Sequence, residues 1–471
     1  MLKLRPYQDD CIDRVRGSLR RQMDAKLPSV SAILESPTGS GKTAMASYMA
    51  GNCVAKGGTV AFICHRKELI DQTALTFDKS DLGYGFLAAG YESRSAQIQI
   101  CSIGTLFNRV DRIKAPTIVI WDECHHVGAR TWAHIRETWG TSIHIGLTAT
   151  PMRLDGEGLG RWFNELVPGP SVQSLMKSGN LSYYDAFAPV TTGSFHKRAG
   201  EFIRSEMESS LDNGEVLGNA VRHWKAKADG KLTLGFAITV AHSEHLVEAF
   251  RTAGVRAAHL DAKTPKALRR STLQDLAKRN LDIIFNVELF GEGYDLAANS
   301  GMDVTIEAGL FSRPTASLGL HLQQVGRVLR PKKEPAIILD LAGNLLRHGL
   351  PDEAREWSLL DQEVKESESS AKMCKACFAV IPRHVMTCPF CSAVVPNPEP
   401  REIKEAEGDL EQIISGAEDA IQLQLALREK REEIKRARTL DELREIGKRR
   451  SLPPEWAEGI YKAKRQAGRR F

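Results

Sequence analysis

The sequence has no apolar run long enough to cross a membrane: its longest, such as Thr117 to Trp121 (TIVIW), are strand-sized against the ~18 residues a span requires. The N-terminal MLKLRPYQDDC has no apolar signal core, so the expectation is a chain that is neither membrane-spanning nor secreted, working in a cytoplasm. An excess of one charge is lacking too. Lysine and arginine total 64 against 59 acidic residues, a net charge of +5, which excludes a polybasic coat that binds nucleic acid by bulk charge. Any polyanion must be met by local patches. Cysteine is sparse and odd in number: five of nine are scattered at Cys11, Cys53, Cys64, Cys101 and Cys124, and four cluster near residue 380. That pattern excludes a disulfide framework and points to a reducing compartment with one metal site.

What is present, in 471 residues of which 42% are hydrophobic, is room for two to four domains of about 100–200 residues each. Short continuous apolar runs at 30–34, 59–64, 98–102, 118–121 and 143–147 alternate with helix-length amphipathic segments, and the alternation returns at 233–238, 257–260, 282–287, 304–307 and 336–339. Buried strands between helices indicate parallel sheets covered on both faces, hence two α/β domains, expected over 1–160 and 231–350 with 161–230 as the connection. Beyond them the expected divisions are a linker (351–373), a cysteine module (374–391), an acidic linker or helix (392–427) and a basic helical tail (428–471).

Ser36-Pro37-Thr38-Gly39-Ser40-Gly41-Lys42-Thr43 lies between an apolar strand and a helix, the context a phosphate loop requires. Gly39 and Gly41 let the backbone from Pro37 through Ser40 wrap a triphosphate, Lys42 reaches its β and γ phosphates, and Thr43 holds Mg²⁺. The stricter pattern has Gly where this chain has Ser36. Asp122 and Glu123, ending the run 118–121, supply the second half: Asp122 for Mg²⁺ and Glu123 for the attacking water. If 321–330 is helical, Gln323, Arg327 and Arg330 form one polar stripe that can face those phosphates, ended by Pro331.

These motifs together resemble a superfamily 2 DExH helicase, which implies two tandem RecA-like domains and ATP hydrolysis in the cleft between them. Leu4-Arg5-Pro6-Tyr7-Gln8 resembles the Q-type motif, implying that Arg5 and Gln8 contact the nucleotide; SPTGSGKT resembles motif I and DECH (122–125) motif II. His65-Arg66 and the segment 102–105 resemble motifs Ia and Ib, implying nucleic-acid contacts from His65, Arg66, Gly104 and Thr105. TATP (148–151) resembles motif III, implying a coupling role for Thr148 and Thr150 together with His125. Glu292-Gly293-Tyr294-Asp295 resembles motif V, implying that Gly293 and Asp295 contact the nucleotide, and 323–330 resembles motif VI. The TATP form is more similar to the DNA-acting and restriction-type branch than to the RNA-acting one.

Cys374-x2-Cys377-x10-Cys388-x2-Cys391 offers four thiolates on two CxxC hooks, which favours a Zn²⁺ ribbon over an iron–sulfur cluster or disulfides. A DECH core followed by such a module resembles the RadD-like bacterial DNA-repair helicases. That implies single-stranded or branched DNA as partner, single-strand-binding or recombination proteins beside it, and a bacterial or bacteriophage gene. In the tail, Lys448, Arg449, Arg450, Lys462, Lys464, Arg465, Arg469 and Arg470 read as a nucleic-acid grip in preference to a solvated helical face. The leading expectation is an ATP-driven DNA helicase or translocase using Mg²⁺ and Zn²⁺. An ATP-switched DNA-binding recruiter that does not unwind, and an RNA helicase, stand as alternatives.

Overall fold

The computed structural model of the chain describes residues 3–153, 157–188, 195–198, 200–290, 296–360, 371–373, 380–382, 386–387, 392–395, 411–413, 437, 439–449, 456–458 and 460–461. The first sheet contains β1 (Val30–Glu35), β2 (Val60–Cys64), β3 (Gly85–Leu87), β4 (Ile98–Ser102), β5 (Ile118–Asp122), β6 (Ile143–Thr148) and β7 (Glu165–Pro168). All pairs are parallel, in the order β3-β4-β2-β5-β6-β1-β7. Successive residues feed opposite faces: Ala32, Leu34, Phe62 and Cys64 pack on one side, Ile33, Ala61, Ile63 and Trp121 on the other. That two-sided burial is why the strands read as unbroken apolar runs.

The second sheet contains β8 (Tyr184–Ala188), β11 (Thr233–Phe236), β12 (Ala257–Leu260), β13 (Ile283–Asn286), β14 (Ala308–Phe311), β15 (Ala336–Asp340) and β18 (Glu411–Ile413), ordered β12-β13-β11-β14-β15-β8-β18. Only β18 runs antiparallel. Two small antiparallel pairs lie outside the sheets: β9 (Lys197–Arg198) with β10 (Glu201–Phe202), and β16 (Ala371–Met373) with β17 (Val380–Pro382).

Three expectations shift. The strand expected at 304–307 is Ala308–Phe311, paired with Thr233–Phe236 on one side and Ile337–Asp340 on the other, and its Gly309 runs close beneath the helix Leu318–Val328: a Cβ there would lie 2.7 Å from Val328 Cγ2. Val304 and Ile306 are buried in the lead-in, and their alternation mimics a strand. The interval 161–230 carries β7 of the first sheet and β8 of the second, as well as connecting them. Glu411–Ile413, expected within a linker or helix, covers the open backbone edge of β8.

In the tail, Thr439 and Glu442 form the capping box their spacing predicts, with Thr439 N–H on Glu442 Oε2 at 3.1 Å and Glu442 N–H on Thr439 Oγ1 at 3.2 Å. The helix Leu440–Arg449 buries Leu443 and Ile446 against Trp456, Ala457 and Ile460, and Val395 joins this small core. Among the described residues no helix is long and apolar enough to cross a membrane.

Candidate active site between the two sheets

β1, β6 and β5 end side by side, with Glu35 opposite Thr148 and Asp122 opposite Leu147, so the loops that leave them converge at the carboxyl edge of the first sheet. The phosphate loop needs its glycines. Gly39 and Gly41 have φ of 88° and 82°, and a Cβ on Gly41 would stand 2.4 Å from Gln8 Nε2. Ser36 stands where the stricter pattern has glycine, and its buried hydroxyl bonds Ser40 Oγ at 2.7 Å, clipping the loop across its base. Lys42 Nζ donates to Ser36 O at 3.0 Å and Pro37 O at 3.4 Å, and Thr43 follows in the first turn of the helix Lys42–Ala55.

The Q-type segment buttresses the same loop. Tyr7 Oη and Gln8 Nε2 both donate to Ser40 O, at 2.8 and 2.9 Å, while Gln8 Oε1 accepts the Arg5 N–H at 2.9 Å. Arg5 is exposed. Just before the loop, burial pushes Glu35 up to about 7, with the Gly169 N–H and Lys42 pulling it back; sequence reasoning did not single it out.

Asp122 and Glu123 are each 5% exposed. Burial, then the Glu123 carboxylate, pushes Asp122 above the usual range, and Lys42 and His65 oppose the shift. Glu123 is left-handed, φ 51° and ψ 55°, a conformation that costs a non-glycine residue about 1–3 kcal/mol. From there Glu123 Oε2 lies 3.5 Å from His125 Nδ1, which is 3.0 Å from Thr148 Oγ1. Thr148 Oγ1 donates to Thr150 O and accepts the Thr150 N–H, both at 3.1 Å. With the Thr148 proton on Thr150 O, the contact to His125 needs the Nδ1–H tautomer of the ring.

The chain of contacts continues into the second domain. The helix Leu318–Val328, capped by Ser317 Oγ on the Leu320 N–H at 3.1 Å, approaches the first domain at two glycines. A Cβ on Gly319 would be 3.0 Å from Thr150 Oγ1, and one on Gly326 would be 2.5 Å from Thr38 Cβ. Gln323, between them on the same face, is 2% exposed, and Arg327 is 7% exposed. Arg330 lies two residues past the helix end, not inside it as the stripe argument required.

The expected nucleic-acid residues are placed unevenly. His65 is half-buried, its ring 4.8 Å from that of His126 and 6.4 Å from that of Trp132. Arg66 Nη1 reaches across to Glu288 O at 3.3 Å. Gly104 is exposed, and Thr105 Oγ1 holds the Ala89 N–H at 3.1 Å and the Ser102 hydroxyl at 2.9 Å. Gly293, Asp295 and the four clustered cysteines lie outside the described residues, as do Arg450, Lys462, Lys464, Arg465, Arg469 and Arg470; Lys448 and Arg449 are exposed.

The donor set suits a divalent cation beside phosphate: a buried carboxylate on Asp122, the hydroxyl-bearing Thr43, and a Glu123 Oε2 with no hydrogen-bond partner among the described residues.

The family described as "Type III restriction enzyme, res subunit" matches residues 1–153, and the "Helicase conserved C-terminal domain" matches 215–332. The chain belongs to the superfamily 2 helicases. As such it is an ATP-hydrolysing enzyme, and Mg²⁺ goes with that identity. This superfamily 2 helicase is 30% identical over 389 residues to a "51.5 kDa protein" of a Lactococcus phage, covering 81% of this chain and 82% of that one. It is 27% identical over 400 residues to irc3 of Schizosaccharomyces pombe, named provisionally as a mitochondrial ATP-dependent helicase; the match covers 79% of this chain and 62% of that protein. Its fold is also that of the DNA-bound ATP-dependent Type ISP restriction-modification enzyme LlaBIII, at a TM-score of 0.52 and 14% identity, over 72% of this chain and 28% of that one. Both RecA-like domains of the helicase are therefore in place, one on each side of the site.

Proposed function

We propose that this superfamily 2 helicase is a DNA motor, hydrolysing ATP between its two sheets to move along or separate strands in repair, recombination or replication. The observation that carries the reading is the run of contacts from Glu123 through His125, Thr148 and Thr150 to Gly319, which ties the hydrolytic carboxylate to the opposite domain. Arg5 and Gln8 hold the adenine end, and the bond from Gln8 to Ser40 O conveys its fit to the phosphate loop. Backbone N–H groups from Thr38 to Thr43 and the Lys42 ammonium bind the phosphates. Thr43 and Asp122 hold Mg²⁺, which draws charge from the phosphate oxygens when bound. Glu123 orients the attacking water, Gln323 assists it, and Arg327 and Arg330 stabilise the charge that develops as the γ-phosphoryl leaves. Gly293 and Asp295 complete the nucleotide contacts. Arg66, with His65, Gly104 and Thr105, lies along the strand path, and its contact with Glu288 O spans both domains.

DNA is favoured over RNA by the restriction-enzyme description of the first-domain family and by the TATP form of motif III. We assign the four cysteines to one Zn²⁺ in a RadD-like module. The antiparallel pairing of β16 with β17 on either side of Cys374 and Cys377, and of Thr387 with Val394 on either side of Cys388 and Cys391, supports it. Single-strand-binding or recombination proteins fit as partners, and the phage relative fits work in a bacterial cytoplasm.

The test is ATP turnover by the full chain with single-stranded, duplex and forked DNA and with RNA, followed by strand displacement on whichever stimulates. DNA should stimulate and RNA should not; the reverse order rejects the DNA reading, and stimulation without displacement leaves a translocase. Metal analysis should return about one zinc per chain. Iron, or no metal, rejects the module.

A further inference from the structure

The C-terminal end of the helix Leu318–Val328 is held by a lysine that none of the motifs contains. Lys332 Nζ donates to Val328 O, to Arg330 O at 3.0 Å and to Ser182 Oγ at 3.0 Å. Ser182 returns its own N–H to Leu329 O at 2.9 Å, and the Leu329 N–H closes on Val325 O. The carbonyls at the end of a helix carry partial negative charge, and an ammonium placed among them is favourable. Here that ammonium also reaches the segment crossing between the domains. Leu181, next to Ser182, would be 3.1 Å from a Cβ on Gly39, so Leu181 covers the phosphate loop while Ser182 grips the helix end.

Arg330 follows the last helical residue by two positions, so the helix alone does not fix it. Its carbonyl rests on Lys332, the preceding carbonyl rests on Ser182, and Pro331 narrows its backbone choices. We propose that Lys332 is a positioning residue for ATP turnover: it locks the turn from Leu329 to Pro331 onto the crossover segment and so sets where Arg330 stands relative to the phosphate loop. This rests on the reading of Arg330 as a transition-state arginine.

Burial pushes the Lys332 ammonium down to about 8; Lys231 adds to the shift, while Glu307, itself bonded to Arg279 and the Leu232 N–H, opposes it. The clamp therefore loses its charge as pH rises through about 8. Because the folded chain gives up this proton before the unfolded chain does, raising pH through that window costs no fold stability through this group. Turnover and stability part company there.

The experiment uses the full chain as Lys332→Met, Lys332→Arg, Arg330→Ala and the double variant Arg330→Ala/Lys332→Met. It reads kcat and KM for ATP at saturating single-stranded DNA from pH 6.5 to 9.5, with melting temperature alongside. Lys332→Met should lower kcat by about 10- to 100-fold, the scale of a misplacement near 1 Å, with KM changed less than about threefold. Lys332→Arg should restore most of the rate and move the alkaline fall upward, since guanidinium keeps its proton. In the Arg330→Ala background Lys332→Met should add nothing. A Lys332→Met protein with parental kcat, or effects that multiply in the double variant, overturns the inference. Should Lys332→Met fail to fold, Lys332→Arg decides: an unmoved alkaline fall overturns it. Parental turnover by Arg330→Ala sinks the arginine reading and this inference with it, whereas an impaired Arg330→Ala beside a parental Lys332→Met sinks only the inference.

Discussion

On the first sheet's side of the cleft, polar groups are bonded to one another: Ser36 to Ser40, Tyr7 and Gln8 to Ser40 O, Lys42 to Ser36 O, His125 to Thr148 and Thr148 to Thr150. On the facing helix, the Oε1 atoms of Gln323 and Gln324 are buried with no hydrogen-bond partner among the described residues, and Gly319 and Gly326 stand at the points of contact. A buried polar group left unmet costs about 1–3 kcal/mol, so the two oxygens are expensive as they stand. The first domain thus brings a phosphate loop, a cradle whose polar groups are already bonded, with Glu123 Oε2 unmet beside it, whereas the second brings two amide oxygens unmet among the described residues. Under the proposed mechanism hydrolysis needs both faces, and so should depend on the domains being together.

The largest test breaks the cradle. Lys42→Ala should abolish ATP turnover and weaken nucleotide binding, while Glu123→Gln should lose turnover yet keep nucleotide affinity, measured by equilibrium titration beside steady-state rates. Parental turnover in either would undo the assignment of the first face. Next, Arg330→Ala on the opposite face should cut kcat by about 10³ or more with DNA affinity nearly intact, and Arg327→Ala should follow it. A variant that hydrolyses ATP normally but binds DNA weakly would move those arginines from the nucleotide to the strand. Gly326→Ala probes the contact itself: its new methyl must push helix and loop apart, and a displacement near 1 Å predicts a loss of about 10²-fold in kcat with the melting temperature little changed. Gly319→Ala should do less, because its tightest contact is the Thr150 hydroxyl at 3.0 Å and the next lie at an ordinary 3.7 Å. Gln8→Ala is the mildest; of its two bonds only the one to Ser40 O reaches the phosphate loop, and losing that net interaction of about 1 kcal/mol should raise KM for ATP roughly fivefold and leave kcat in place.

The same asymmetry explains what the amino-acid order reveals. The cradle is legible because its chemistry is local: Gly39, Gly41, Lys42 and Thr43 lie within five residues, and Asp122 and Glu123 end a strand whose apolar run is unmistakable. Central strands are legible for the same reason. The strands at the β18 end of the second sheet are not: β8 (YDAFA) mixes polar and apolar residues, and the edge strand β18 (EQI) sits in an acidic stretch that reads as linker. The helix is legible over 321–330, but it spans Leu318–Val328 and stops short of Arg330, since the residue before a proline resists helical geometry. Contacts such as Thr150 with Gly319, Arg66 with Glu288 O, or Lys332 with Ser182 join positions about 150 to 220 apart, and no spacing rule reaches that far.

The pairing of β18 with β8 bears on how the chain can be shortened. Glu411, Gln412 and Ile413 lie opposite Ala188, Phe187 and Ala186 and cover the outer backbone edge of β8. A chain cut before Glu411 would present that edge to solvent as a template for a strand from another copy. Self-association, followed by light scattering, is then the first consequence of truncation, so a shortened protein that loses DNA binding must be shown to be monomeric before the loss is credited to the cysteine module or the basic tail.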